Sequence, residues 1–140
     1  MDMVTLEQAQ KIVAGALAYA RENNLKPMGI VVLDARGALR AAAVEDGASL
    51  GRWKVAYGKA NGAISLGVNS RVLGAMAVER PHFVGSLGAV FSDGVVPVAG
   101  GVLIYDQSGH IAGAAGASGD TSDNDEAALI AAIAHAGLKS

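Results

Sequence analysis

The stretch Pro97–Glu126, PVAGGVLIYDQSGHIAGAAGASGDTSDNDE, decides the fold. Apolar residues fill Val95–Tyr105, stop at the turn Asp106-Gln107-Ser108-Gly109, and resume over His110–Ala115. That pattern predicts two antiparallel strands joined by a tight connection. A Gly-rich passage follows, and Asp123, Asp125 and Glu126 then place carboxylates where the unpaired N–H groups of a helix start need acceptors. The helix is expected over about Asp123–His135, with Gly137 ending it. Gly100 and Gly101 can take positive φ or let another group approach the backbone. Since Val95–Tyr105 is long for a strand, a β-bulge at this pair is the structural expectation. The whole segment predicts a pocket rimmed by backbone and closed by a helix start.

Upstream, Asp93-Gly94 is a strong hairpin dipeptide, so Ala89–Ser92 reads as one more strand. Two further apolar runs, Met28–Asp34 and Ala38–Glu45, flank Asp34-Ala35-Arg36-Gly37, a turn with Asp first and Gly last. They predict an antiparallel pair with its first strand central. Thr5 with Gln8 reads as a capping box, and Leu6, Ala9, Ile12, Val13, Ala16, Leu17 and Ala20 recur at helical spacing as far as Asn23-Asn24. A second helix is expected from about Leu50 to Leu66, and a shorter one from Asn69 or Ser70 through Val78. Pro81 then predicts a loop carrying His82 and Phe83. The order of elements implies an α+β sandwich, an antiparallel sheet of about five strands with helices packed against it. Residues 1–140 are expected to form a single domain.

Composition narrows the function classes. Of 140 residues, 51% are apolar and 17% charged, which excludes a disordered chain. Ala (28) and Gly (19) make up a third of the sequence, so close helix–sheet packing must replace bulky side chains. The mean hydropathy of +0.34 implies that neighbouring subunits cover some apolar surface, hence a homo-oligomer. A net charge of −2 offers no basic footprint for nucleic acid. Arg52, Trp53, Lys54 and Tyr57 mix basic and aromatic residues, but Trp53 and Tyr57 are four apart and read as one helix face. With no Cys there are no disulfides, thiolate sites or Cys nucleophile. MDMVTLEQAQ does not read as a signal peptide, and no run reaches the roughly 18 apolar residues of a membrane span. The expectation is a cytoplasmic protein without membrane or nucleic-acid partners.

Several residues can carry chemistry. His82, beside Pro81, can ligate iron or act as a base near neutral pH; His110 reads as solvated, and His135 as a cation at a helix C-terminus. Lys59 lies within the second helix beside Gly58 and Gly62, which cost roughly 1 kcal/mol each relative to Ala and so imply close packing. Its ammonium can pair with a carboxylate of the final helix or bind an anionic group. Asp123 with Glu126 fits a D-x-x-E cap, whereas Asp125 beside Glu126 exceeds what capping requires. Carboxylates, a lysine and a histidine together can move a proton next to a carbonyl.

Six segments in order resemble the GlcG/HbpS family, which is related to the C-terminal domain of the PduO cobalamin adenosyltransferases. They are TLEQAQKIVAGALAYARENNL (5–25), VVLDARGAL (31–39), DGASLG (46–51), GKANGA (58–63), PVAGGVLI (97–104) and GASGDTSDNDEAAL (116–129). The element order is that of profilin-like and PAS-like domains, and the resemblance implies a profilin-like sandwich, assembly from dimers up to octamers, and heme as the best-known ligand. It also places a lysine at what looks like Lys59. The chain departs from its secreted heme sensors, which carry an export signal and an E-x-x-E iron motif: Val78-Glu79-Arg80 holds one Glu only. It has no His near the N-terminus, where PduO-type domains supply an axial ligand. Two functions stay open. One is a small-ligand-binding protein, with heme iron on His82 and a pocket that includes Arg52, Gly100, Gly101 and Asp125. The other is a cofactor-independent isomerase, hydratase or lyase acting on a small oxo- or hydroxy-acid or aromatic catabolite. There Lys59 or Arg52 would hold the carboxylate and His82 or Glu126 would move the proton. A purely structural oligomer is a third option.

Overall fold

The computed structural model describes residues 3–140. Its first helix, α1 (Leu6–Glu22), starts on the capping box read from the sequence. Gln8 N–H donates to Thr5 Oγ1 at 3.1 Å, and Thr5 N–H donates to Gln8 Oε1 at 3.0 Å. The chain then enters β1 (Gly29–Asp34) and turns back into β2 (Leu39–Val44). Next come α2 (Arg52–Leu66), α3 (Ser70–Glu79), α4 (Pro81–Val90), β3 (Gly101–Tyr105), β4 (Ile111–Ser118) and α5 (Ser122–His135).

The sheet is antiparallel throughout, in the order β2-β1-β4-β3. Period-two alternation sends Ile30, Val32, Val102 and Ile104 to one face, where α1 and α5 lie side by side, and Val31, Leu33 and Leu103 to the other, where α2 lies. Helices on both faces explain why β1 is a continuous buried run rather than an alternating one. α3 docks beside α2, and α4 touches α3 alone among the helices and strands.

The α+β sandwich expected from the sequence is present, with four strands among the described residues instead of about five. Ala89–Ser92 is the end of α4 and the bend after it; Phe91 N–H still donates to Leu87 O at 2.8 Å, so helical bonding outweighs the strand preference of Val and Phe. The loop expected at Pro81 is also helix. Pro stands at the first helical position, where its missing N–H has no partner to lose and its fixed φ suits the helix. Val95–Ala99 is not strand either. It crosses α2, with Val96 N–H on Gly58 O at 3.2 Å, and Val95 and Val96 fill the space that a side chain on Gly62 or Gly58 would need. The strand therefore begins at Gly101, and the expected bulge at Gly100-Gly101 is absent; register shifts fall at Val32/Leu33 and Ile104/Tyr105.

Candidate functional site

α2 sits on the sheet almost backbone to backbone. A Cβ on Gly116 would stand 1.9 Å from Ala56 O, and one on Gly101 would stand 2.3 Å from Lys59 O. This close approach brings Lys59 to the start of β3. Its side chain runs past Gly100, whose φ is 118° and whose added Cβ would lie 2.7 Å from Nζ. The ammonium donates to Ala117 O at 2.9 Å and to Asp125 Oδ2 at 3.3 Å. Lys59 is 2% exposed and Asp125 is 1% exposed. Asp125 Oδ1 also accepts from Asp120 N–H at 2.9 Å. Burial pulls the Lys59 ammonium below its ordinary pKa, against the charge and hydrogen bond of Asp125, and the nearby Arg52 charge adds to the lowering. The pair joins α2 and α5, two helices on opposite faces of the sheet that otherwise do not touch.

Neighbouring bonds close the surroundings. Ser70 Oγ accepts from Gly101 N–H at 2.6 Å and donates to Gly101 O at 3.3 Å, while Asn69 Oδ1 accepts from Leu103 N–H at 2.8 Å. Arg52 Nη1 donates to Ser118 Oγ at 3.1 Å. Arg71 reaches from α3 to the first turn of α5, where Nε donates to Glu126 Oε1 at 3.1 Å and Nη2 donates to Asp123. Asp123 is thus an ion-pair partner and not the cap; Thr121 caps α5, accepting from Asn124 N–H at 3.2 Å. Asp120 takes hydrogen bonds from the Asn124 amide and from the N–H groups of Lys26 and Thr121, which hold its pKa at about 2.

That depression carries a pH signature. Asp120 contributes stability above its unfolded value of 3.8 and loses it as pH falls through about 2. Urea melts of wild type and Asp120→Asn should therefore differ most above 3.8 and converge through that window. A difference that stays constant with pH would show that the carboxylate is not held this way.

The structure thus brings together Lys59, Asp125, Gly100 and Gly101 and places Arg52 near them. Lys59 and Asp125 meet in direct contact and are shut from solvent. A cleft of about 230 Å3 lies at the far end of β3 and β4, lined by Met3, Gln8, Asp106, Gln107 and His110 among others. Glu126 is engaged by Arg71 at the surface. No hydrogen bond or ion pair joins Lys59, Glu126 and His82 to one another. Sequence reasoning missed Ser70, Arg71, Ser118 and the Ala117 carbonyl, because each acts on a residue more than 30 positions away and leaves no local pattern.

His82 stands in the first turn of α4, exposed, and no hydrogen bond or ion pair engages its imidazole among the described residues. α4 carries no charged side chain. It buries Val84 and Leu87, yet Val90 stays 67% exposed, and Val78 at the end of α3 stays 83% exposed. Phe83 lies half-buried beneath the Arg80 guanidinium, 4.7 Å from its ring centroid. His110, by contrast, sits 3.6 Å from Asp106. No helix among the described residues is long and apolar enough to cross a membrane.

Residues 4–134 match the profile of one protein family, described as haem degrading protein HbpS-like. No curated protein matches the chain. Among solved structures, Klebsiella pneumoniae protein ORFY is similar at 22% identity and a TM-score of 0.86, over 98% of this chain and 92% of that one. A PduOC–heme complex matches at 20% identity and 0.85, over 97% and 96% of the two chains. HbpS matches at 24% and 0.82, over 96% and 91%. These likenesses extend across the whole sandwich.

Proposed function

The chain belongs to the HbpS-like family, and on that footing we propose that it binds a small planar ligand of the heme class, with His82 as the iron ligand. The carrying observation is an unengaged imidazole on a helix that is uncharged, largely exposed and apolar. A neutral imidazole has a nitrogen lone pair to offer a metal, and the exposed apolar side chains offer surface that a hydrophobic macrocycle can cover. The family's description and the heme bound by PduOC support the same ligand. Heme would supply an iron centre there; His82 would offer it a ring nitrogen, and the exposed apolar side chains of α4 would cover part of the ligand.

The proton-transfer alternative has less support. Its lysine is sealed against Asp125, its glutamate is tied to Arg71, and its histidine lies on a helix that touches neither α2 nor α5. Hemin titrated into the purified protein should give a Soret shift, and His82→Ala should weaken binding by at least about tenfold, the equivalent of 1.4 kcal/mol. An unchanged spectrum and affinity in His82→Ala would remove His82 from the site. No shift in wild type would remove heme.

A further inference from the structure

The residue before α4 deepens this reading and rests on it. Arg80 is exposed and occupies the N-cap position of α4, two residues from His82. Its backbone is fixed at a corner: its N–H donates to Met76 O at 2.7 Å, and its carbonyl accepts from Phe83 N–H at 3.1 Å and Val84 N–H at 3.2 Å. Its guanidinium rests on the Phe83 ring. A cation–π contact holds the planar group in place without using its N–H donors. No carboxylate pairs with it among the described residues. The other cation of this helix pair, Arg71, is already committed to Asp123 and Glu126. Arg80 is therefore a positioned fork with open donors, beside an open imidazole and an apolar helix.

We propose that Arg80 reads carboxylates on the ligand, so that the site selects a planar metal complex with peripheral carboxylates over a neutral one of the same shape. Guanidinium matches carboxylate geometry in a two-bonded pair, which an ammonium does not reproduce. Glu79, the other charged residue at this corner, is exposed and opposes an anionic ligand. The two neighbours thus work against each other, and removing either shifts affinity in opposite directions.

The test compares hemin with hemin dimethyl ester, each titrated into wild type, Arg80→Gln, Arg80→Lys and Glu79→Gln, read by Soret absorbance with circular dichroism to confirm folding. Wild type should prefer hemin to its ester by about tenfold, and Arg80→Gln should abolish that preference. The Soret position should not change, because the iron ligand is untouched. Arg80→Lys should restore only part of the preference, and Glu79→Gln should increase it. If wild type binds both forms equally, or folded Arg80→Gln keeps the full preference, the inference falls while heme binding by His82 stands. If wild type shifts the Soret band of neither form, both fall together.

Discussion

Asp125→Asn should destabilise the protein by about 3–5 kcal/mol at pH 7, the range for removing one partner of a buried ion pair. Asp125 accepts from the ammonium with Oδ2 and from Asp120 N–H with Oδ1. Asn keeps one oxygen for one of them and turns an NH2 donor toward the other, so the loss combines the charge with one acceptor. Lys59 would then stand in a closed interior with only Ala117 O and a neutral amide. Its escape is to release its proton. From the ordinary value of 10.5 that costs at most about 5 kcal/mol at pH 7, roughly 3.5 units at 1.36 kcal/mol each. A lysine with a lowered folded pKa binds more protons unfolded than folded between that value and 10.5, so stability rises with pH there. The deficit of the variant should accordingly shrink as pH climbs towards 10.5. Denaturant melts at pH 7 and near 10.5 measure it, and a deficit below about 1 kcal/mol at pH 7 would contradict a sealed charged pair. A Lys59→Met/Asp125→Leu double variant should recover much of the loss, because an apolar pair leaves no charge stranded.

Gly116→Ala should cost about 3 kcal/mol, the upper end for forcing extra atoms into a packed core. The new methyl would meet the Ala56 carbonyl at 1.9 Å, and backbone at the centre of α2 cannot step aside as a flexible side chain could. Yielding would lift α2 off the sheet and disturb Lys59 one turn further on. Gly85 and Gly88 of α4 are the controls, since nothing stands within 4 Å of a Cβ on either. Gly85→Ala and Gly88→Ala should each stabilise by up to about 1 kcal/mol through helix propensity. Equal effects at positions 85 and 116 in thermal melts would refute the close-approach argument.

Local chemistry is legible in the sequence. The Thr5–Gln8 box, the Asp34–Gly37 turn and the left-handed glycine that ends α2 all rest on bonds or steric preferences spanning a few residues. Gly58 and Gly62 signal close packing, and packing is there, against Val96 and Val95. Pro81 misleads because it both opens helices and breaks them; what precedes it does not say which. Ala89–Ser92 misleads because a β-prone run beside Asp-Gly looks the same whether or not helical bonds already claim it.

The amino-acid order by itself determined an α+β sandwich of the HbpS-like family, a lysine in a tightly packed helix and acidic residues at the mouth of the last one. Only the tertiary structure decided that Lys59 meets Asp125 across a glycine gap and is shut from solvent, that Arg71 takes Glu126, and that His82 faces outward on α4. Turns and caps are settled by neighbours in sequence, where few conformations compete. Burial and ion pairing depend on groups brought together from some 30 to 70 residues apart, and no local pattern specifies which of them will meet.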